Sequence, residues 1–289
     1  MNHRNVQLAP GLYLVATPIG SARDITLRAL DILASADMLV AEDTRTLRKL
    51  MDLHGIPLSG RRVKAYHDHS KPGERRAIVE AVTSGQSVAY ASEAGTPLIA
   101  DPGFALVNDV RAAGGSVTSA PGPSALITAL SIAGLPTDRV HFAGFAPATQ
   151  AARLSFLAGL ADIEATIVLY EAPGRAAALF KNAVSVMGSD REAALCRELT
   201  KRFEEVDRST LGDLAERTAT QSPKGECVIL IGRAAEKTVS EDDIDTQLKI
   251  ALTTMRIKDA ATAVAGAMGL RRRDVYQRAL ALQSEDKSG

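Results

Sequence analysis

The stretch Ser92-Glu93-Ala94-Gly95-Thr96-Pro97-Leu98-Ile99-Ala100-Asp101-Pro102-Gly103 follows an apolar run at 87–91 and opens a helical pattern over 103–113. Further along, Pro121-Gly122-Pro123-Ser124-Ala125 likewise follows a strand candidate at 116–120 and opens a helical run. Glycine lets a backbone approach a ligand closely, and proline fixes φ without needing a donor. A strand, a rigid turn and then a helix, met twice, is the pattern of an open α/β sheet. Such a sheet binds its ligand in the crevice beyond the carboxyl ends of its strands.

Working outward, the same alternation recurs. Residues 12–16 (Leu-Tyr-Leu-Val-Ala) read as a strand closed by the turn Thr17-Pro18-Ile19-Gly20, and 26–34 read as a helix capped by Asp24 or Thr26. A strand at 38–41 ends in Glu42-Asp43-Thr44-Arg45, and the helix after it stops at Gly55 and Pro57. Further strands are expected at 63–66, 87–91 and 116–120, with helices at 73–84 and 103–113, so the sheet is expected to be mostly parallel. Beyond a boundary placed near 136–150, strands are expected at 163–170, 193–196 and 227–231, with helices at 174–187 and 211–219. Residues 233–241 read as a linker into three short helices at 243–255, 258–268 and 271–283. The expected organisation is therefore an α/β domain at 1–135, a second at 136–232, and a linker with a helical, helix-turn-helix-like module at 233–289.

Composition narrows the function. Lysine plus arginine and aspartate plus glutamate both number 34 in 289 residues, so no global charge argues for nucleic acid and a basic patch has to be local. The two cysteines, Cys196 and Cys227, lack a C-x-x-C spacing and read as reduced core residues. No apolar run reaches the length of a membrane span, and Met1-Asn2-His3-Arg4-Asn5 is not followed by a signal-peptide core. A soluble, cytoplasmic protein is expected. Neither G-x-G-x-x-G nor G-x-x-x-x-G-K-[ST] occurs, which removes the main support for dinucleotide and P-loop readings.

Several charged segments sit at expected strand tips. Acids at 42 and 43 suit a helix N-terminus, but Arg45 in the first turn opposes the helix dipole and so stands out. His67 and His69 share a face at a spacing of two, yet the other histidines and cysteines offer no ligand-like spacing, so no metal site is expected. The mixed-charge segment 195–205 suits either a salt-paired surface or a cleft wall. Arg271-Arg272-Arg273, opening the last helix of a chain of zero net charge, points to phosphate contact.

Taken in order, LYLVATPIG (12–20), AEDTR (41–45), SEAGTPLIADPG (92–103), PGPSA (121–125), GLP (134–136), GF (144–145), RELTK (197–201) and GE (225–226) form an ordered set. The set resembles the tetrapyrrole-methylase superfamily, and within it the family of bacterial 16S ribosomal RNA cytidine 2′-O-methyltransferases. The likeness covers residues 10–232, and the helical tail resembles that family's C-terminal module. It implies two α/β domains with S-adenosylmethionine in a cleft between them, and a homodimer. The positions matching the superfamily's cofactor-contacting stretches are Pro18, Ala94, Gly95, Thr96, Ile99, Ser124, Ala125, Tyr170, Glu171, Leu199 and Thr200. The chain departs from the family pattern at Glu93, where Asp is usual, at Ser21-Ala22 in place of Asn-Leu, and at Ser70 in place of Asn.

The resemblance implies methylation of a cytidine ribose in 16S ribosomal RNA, presented within the small ribosomal subunit. A ribose hydroxyl is a poor nucleophile at neutral pH, so a general base within hydrogen-bond reach would help. Asp43 and His67 have the right type and position for it, and no sequence signal decides between them. Arg23, Arg45 and Arg271–Arg273 are the expected RNA contacts. Two alternatives remain at this point: the same fold acting on a corrin-type or other small acceptor, and a non-catalytic RNA-binding assembly factor.

Overall fold

The computed structural model describes residues 2–67, 70–100, 102–234 and 241–286. The chain forms two compact units, Met1–Ala234 and Ala235–Gly289. The first holds two sheets. Strands β1 (Gly11–Val15), β2 (Met38–Ala41), β3 (Val63–Ala65), β4 (Ser87–Ala91) and β5 (Val117–Ala120) lie in the order β3-β2-β4-β1-β5. Every pair in this sheet is parallel. Helices α1 (Leu27–Ser35) and α2 (Thr44–Leu53) cover one face, with Leu33, Leu47 and Met51 packed on Leu39, Ala41 and Ala89. Helices α3 (Pro72–Thr83) and α4 (Phe104–Ala112) cover the other, with Ile78 and Leu106 packed on Val40, Val88 and Tyr90. A sheet covered on both faces needs apolar residues at every position, and β4 is buried along its whole length.

Helix α5 (Ala125–Ile132) follows β5 but leaves the first sheet. Its Ala129 and Leu130, with Ala133 and Leu135 beyond, pack on Val168, Ala194, Val228 and Leu230 of the second sheet. That sheet comprises β6 (Val140–Phe145), β7 (Thr166–Glu171), β8 (Glu192–Arg197), β9 (Glu205–Thr210) and β10 (Cys227–Ile231), in the order β6-β7-β10-β8-β9. Its opposite face is covered by α6 (Gln150–Leu160), α7 (Pro173–Met187) and α8 (Leu211–Thr220) through Leu157, Phe180, Leu211 and Leu214.

Three expectations need correction here. The mostly parallel pattern holds for the first sheet, but in the second only β6 and β7 run parallel. The seven residues between β8 and β9 are too few for a crossover, which takes a dozen or more, so β9 returns antiparallel. No strand was expected between 136 and 150, yet that stretch contains β6, a half-exposed edge strand with a register shift between Phe142 and Gly144. The strand expected at 163–170 runs over Thr166–Glu171. Strand β9, within a segment that reads as charged surface, forms the other edge. There Arg197 pairs with Glu205, and Arg208 lies 2.8 Å from Glu192. Charges of this kind blunt a sheet edge against unwanted pairing.

In the second unit, α9 (Glu241–Leu252), α10 (Ile257–Met268) and α11 (Arg272–Asp286) surround Leu248, Val264, Val275 and Leu282. Gly269, left-handed at φ 67°, ends α10 and turns the chain toward α11. Most of the linker read at 233–241 lies outside the described residues. Among those described, no helix is long and apolar enough to cross a membrane.

Phe180 is wholly buried in the second sheet's helical layer. Phe180→Ala is expected to cost about 3–5 kcal/mol of stability, read as a lower denaturation midpoint in urea.

Candidate active site between the two sheets

The turn after β4 is stitched into place by its own short side chains. Thr17 and Gly95 exchange backbone hydrogen bonds of 2.9 and 3.0 Å, and Ser92 Oγ donates to the Gly95 carbonyl at 2.7 Å. Thr96 Oγ1 donates to the Pro123 carbonyl at 2.9 Å, which joins the two glycine- and proline-bearing turns. Gly95 sits at φ 77°, a conformation other residues rarely adopt, and a Cβ there would stand 3.3 Å from Ile19. Leu98 and Ala100 in the same turn also have positive φ, at 72° and 61°. Non-glycine residues in that region store strain that only a well-determined surrounding structure supports, and such strain clusters at functional sites.

Opposite this turn stand the ends of β7 and β10. The Tyr170 hydroxyl accepts a hydrogen bond of 3.1 Å from the backbone N–H of Leu126, in the first turn of α5. A phenol from the second sheet therefore satisfies one of the open donors of a helix that begins in the first half. Gly144, at φ 68°, forms the bulge in β6 and aims Phe145 across the Tyr170 ring, with centroids 5.7 Å apart.

Between these walls lies a cavity of about 380 Å³. The first half contributes Ile19, the turn residues Ala94, Gly95, Thr96 and Ile99, and the helix start Ser124-Ala125. The second contributes Phe145, Tyr170, Glu171, Ala172-Pro173 and the residues 226–228. A pocket of this size with a mostly apolar wall and few convergent polar groups suits a small organic ligand. Glu171 is 3% exposed. Its Oε1 accepts from the backbone N–H of Ala172 at 2.9 Å and lies 3.1 Å from Arg175 Nε, while its buried Oε2 has no partner among the described residues. Glu171 lines the cavity, while its side chain is fully buried and leaves one carboxylate oxygen unsatisfied.

Eight of the eleven sequence-read cofactor positions line this cavity; Pro18, Leu199 and Thr200 do not. Leu199 is buried in the core shared by α5 and the second sheet. Thr200 Oγ1 accepts from the Ser21 N–H at 3.1 Å, and a Cβ on Gly20 would come within 2.6 Å of it. These residues brace the first turn against the second half. Reading by motif matched Phe145 and Glu226 through the GF and GE pairs, but gave them no role, because nothing local reveals that a bulge and a strand end face one cavity. Cys227 and Val228 carry no sequence signal beyond an apolar strand.

The mixed-charge segment 195–205 is both things it suggests. Arg197 and Glu205 pair across the sheet edge, whereas Lys201 lies 3.0 Å from Glu198 and 2.9 Å from the cavity residue Glu226. Lys201's hydrogen bond holds the Glu198 carboxyl below its ordinary range. Partial desolvation opposes the charge on Lys201, but its bonds to Glu226 and Glu198 win and raise its pKa. Burial pushes the Cys227 thiol up to about 11 and that of Cys196 to about 12, so neither is a thiolate at neutral pH.

Asp43 and His67 do not line the cavity. Asp43 caps α2, its Oδ1 accepting from Thr46 N at 3.1 Å and Arg45 N at 2.7 Å, and those bonds hold its carboxyl below the usual carboxylate range. Its neighbour Glu42 ties the tip of β2 to the cavity turn, accepting from Glu93 N at 3.4 Å. His67 follows edge strand β3 and is exposed; His69 and Asp101 lie outside the described residues. Among the described residues no cluster of His, Cys, Asp or Glu could hold a metal ion. Arg23 and Arg45 are exposed on the first half. In the second unit, Arg272 and Arg273 are exposed, and Arg271 pairs with Asp274 at 2.8 Å.

The family described as Tetrapyrrole (Corrin/Porphyrin) Methylases matches residues 11–215, which span both sheets. The chain belongs to the tetrapyrrole methylases. The RsmI C-terminal HTH domain matches residues 238–283. The chain is 43% identical over 283 residues to a Mesorhizobium japonicum protein named ribosomal RNA small subunit methyltransferase I, covering 98% of this chain and 95% of that one. A Mycobacterium tuberculosis protein of the same name is 42% identical, with 96% of each chain covered. Among solved structures, a cobalt precorrin-4 methyltransferase aligns with a TM-score of 0.57 at 20% identity, over 76% of this chain and 94% of that one. At that identity the likeness bears on the fold alone.

The Asp43 cap has a pH signature. Its folded pKa is lowered, so its stabilising contribution is complete above the ordinary value of 3.8 and is lost as pH falls through the lower folded value. Asp43→Ala is expected to melt below the parent protein at pH 7, and the gap is expected to narrow below pH 3.8 in a calorimetric series.

Proposed function

We propose that this protein transfers a methyl group from S-adenosylmethionine to the 2′-oxygen of a cytidine in 16S ribosomal RNA, within the small ribosomal subunit in the cytoplasm. The observation that carries this reading is the full-length relation to ribosomal RNA small subunit methyltransferases, helical tail included. The cavity supports it. Its mostly apolar wall has the size for a small organic ligand, and the Gly95 turn has no side chain to fill the space. When bound, S-adenosylmethionine supplies a methyl carbon made electrophilic by a sulfonium.

The chain's own part is placement, water exclusion and proton handling. Ala94, Gly95, Thr96, Ile99, Ser124, Ala125, Tyr170 and Glu171 hold the cofactor, while Pro18, Leu199 and Thr200 keep the two halves at the distance it needs. Collinear placement of the acceptor oxygen is the largest contribution such a site can make. The acceptor approaches from the β2–β3 side, where Asp43 and His67 sit beyond the cavity rim. Asp43 already gives one oxygen to two backbone donors and is held ionised, which makes it a weak proton acceptor suited to orienting the hydroxyl. The His67 imidazole takes the proton. Arg23 and Arg45, with Arg271–Arg273 of the tail, hold the RNA. The protein works as a homodimer, because Leu27, Phe104 and Ile127, near the starts of their helices at the carboxyl end of the first sheet, leave large apolar side chains exposed.

Four measurements test this reading. Ribose-methylation mapping of ribosomal RNA from cells with and without the protein should show one cytidine losing its mark; an unchanged profile refutes the assignment. Gly95→Val should abolish S-adenosylmethionine binding in calorimetry while the circular dichroism spectrum stays native. His67→Ala should lower kcat about 100-fold with cofactor affinity retained, as loss of a general base does. Light scattering should return a dimer mass.

A further inference from the structure

The chain as a whole is neutral, yet its charge is segregated. Between residues 44 and 76 there are nine Lys or Arg and three Asp or Glu. From residue 235 to the end, where the arginine triplet lies, cations and anions balance at nine each. The excess positive charge therefore sits on α2, β3 and the start of α3, and the tail contributes none.

The structure turns this excess outward. Helix α2 buries Leu47, Leu50 and Met51 and exposes Arg45, Arg48 and Lys49 along a shallow groove completed by Asp52 and Leu53. Arg45 reaches only Asp43, at 3.8 Å, and among the described residues Arg48 and Lys49 have no ion-pair partner. Arg62 and Lys64 are exposed at edge strand β3, beside β2. The groove is tied to the cavity turn at one end and to the segment after Gly20 at the other. The residues just before α2 meet the cavity turn through Glu42 and Glu93, and His54 Nε2, at the helix's other end, lies 2.9 Å from the carbonyl of Ala22, next to Arg23. Over its ten residues α2 spans about 15 Å, enough to follow a strand outward from the rim.

We propose that the α2 groove, through Arg48 and Lys49 and continued at the sheet edge by Arg62 and Lys64, is the phosphate track that seats the RNA strand on the acceptor side of the crevice. This rests on the reading of the protein as an RNA methyltransferase and moves the main electrostatic grip from the tail to the first half. Unpaired cations on a rigid, exposed helix face release phosphate counterions at little cost in broken ion pairs. Cations already matched by acids, such as Arg271 with Asp274, release less.

The test uses the full chain, S-adenosylmethionine, and small-subunit particles from cells lacking the enzyme. Arg48→Glu with Lys49→Glu should raise KM for the particle at least tenfold, leave kcat at saturation and cofactor affinity unchanged, and reduce the log–log salt slope by about 2. Arg62→Glu with Lys64→Glu should act in the same direction. A charge-matched control, Arg111→Glu with Lys181→Glu, should behave as the parent. Protein-free 16S RNA should show the same loss in filter binding, which separates an RNA contact from one with a ribosomal protein. A parental KM in the Arg48/Lys49 variant, an equal loss in the control, or an effect absent with protein-free RNA overturns the proposal. If the parent protein transfers no methyl group at all, the substrate reading fails, and the filter-binding arm still decides the track.

Discussion

Everything functional in this molecule depends on where α5 is buried. The helix leaves the parallel sheet at Pro121–Ser124 and packs its small apolar residues on the second sheet, and Tyr170 from that sheet satisfies its first turn. Without that contact the two sheets would share little more than the brace between Gly20 and Thr200. With it, the turn after β4 and the ends of β7 and β10 are held facing each other at a fixed distance. Buried apolar area supplies the attraction, and the phenol–amide bond fixes the register.

The first sheet was legible because both of its faces are covered. Its inner strands β1, β2 and β4 read as apolar runs closed by turns, whereas the edge strands β3 and β5 carry Lys64 and Thr118-Ser119 and are legible mainly from the turns beside them. The second sheet was less so. Its edges, β6 and β9, are half-exposed; one contains a bulge and the other alternates charges, so neither carries a strand's usual signature. The candidate site followed the same rule. Ala94 to Ile99 and Ser124-Ala125 were readable as a turn and a helix start, whereas Ile19 and Val228 line the cavity only because distant segments converge on it. Thr200, within the RELTK motif, does not line the cavity and accepts from the N–H of Ser21.

Charge tells a similar story at a larger scale. A net charge of zero suggested that any grip on RNA had to be local, and the arginine triplet drew attention to the tail. The structure pairs Arg271 with Asp274 and Arg278 with Asp245, and the tail's cations and anions are equal in number, while on α2 Arg48 and Lys49 have no ion-pair partner among the described residues. Sequence reading weighs a run of like residues heavily; a helix that spaces its cations three and four apart hides an equally strong face.

Strand β10 is the last strand of its sheet to be made, yet it lies in the middle, between β7 and β8. During synthesis, then, β6–β7 and β8–β9 stand as separate pairs until Cys227–Ile231 has left the ribosome, and α5 lacks Val228 and Leu230 from its seat. The last part of the pocket wall to be synthesised, residues 226–228, belongs to this same strand and the residue before it. A chain that stops short of β10 therefore cannot form a complete pocket, and ligand occupancy marks a chain whose second sheet is complete.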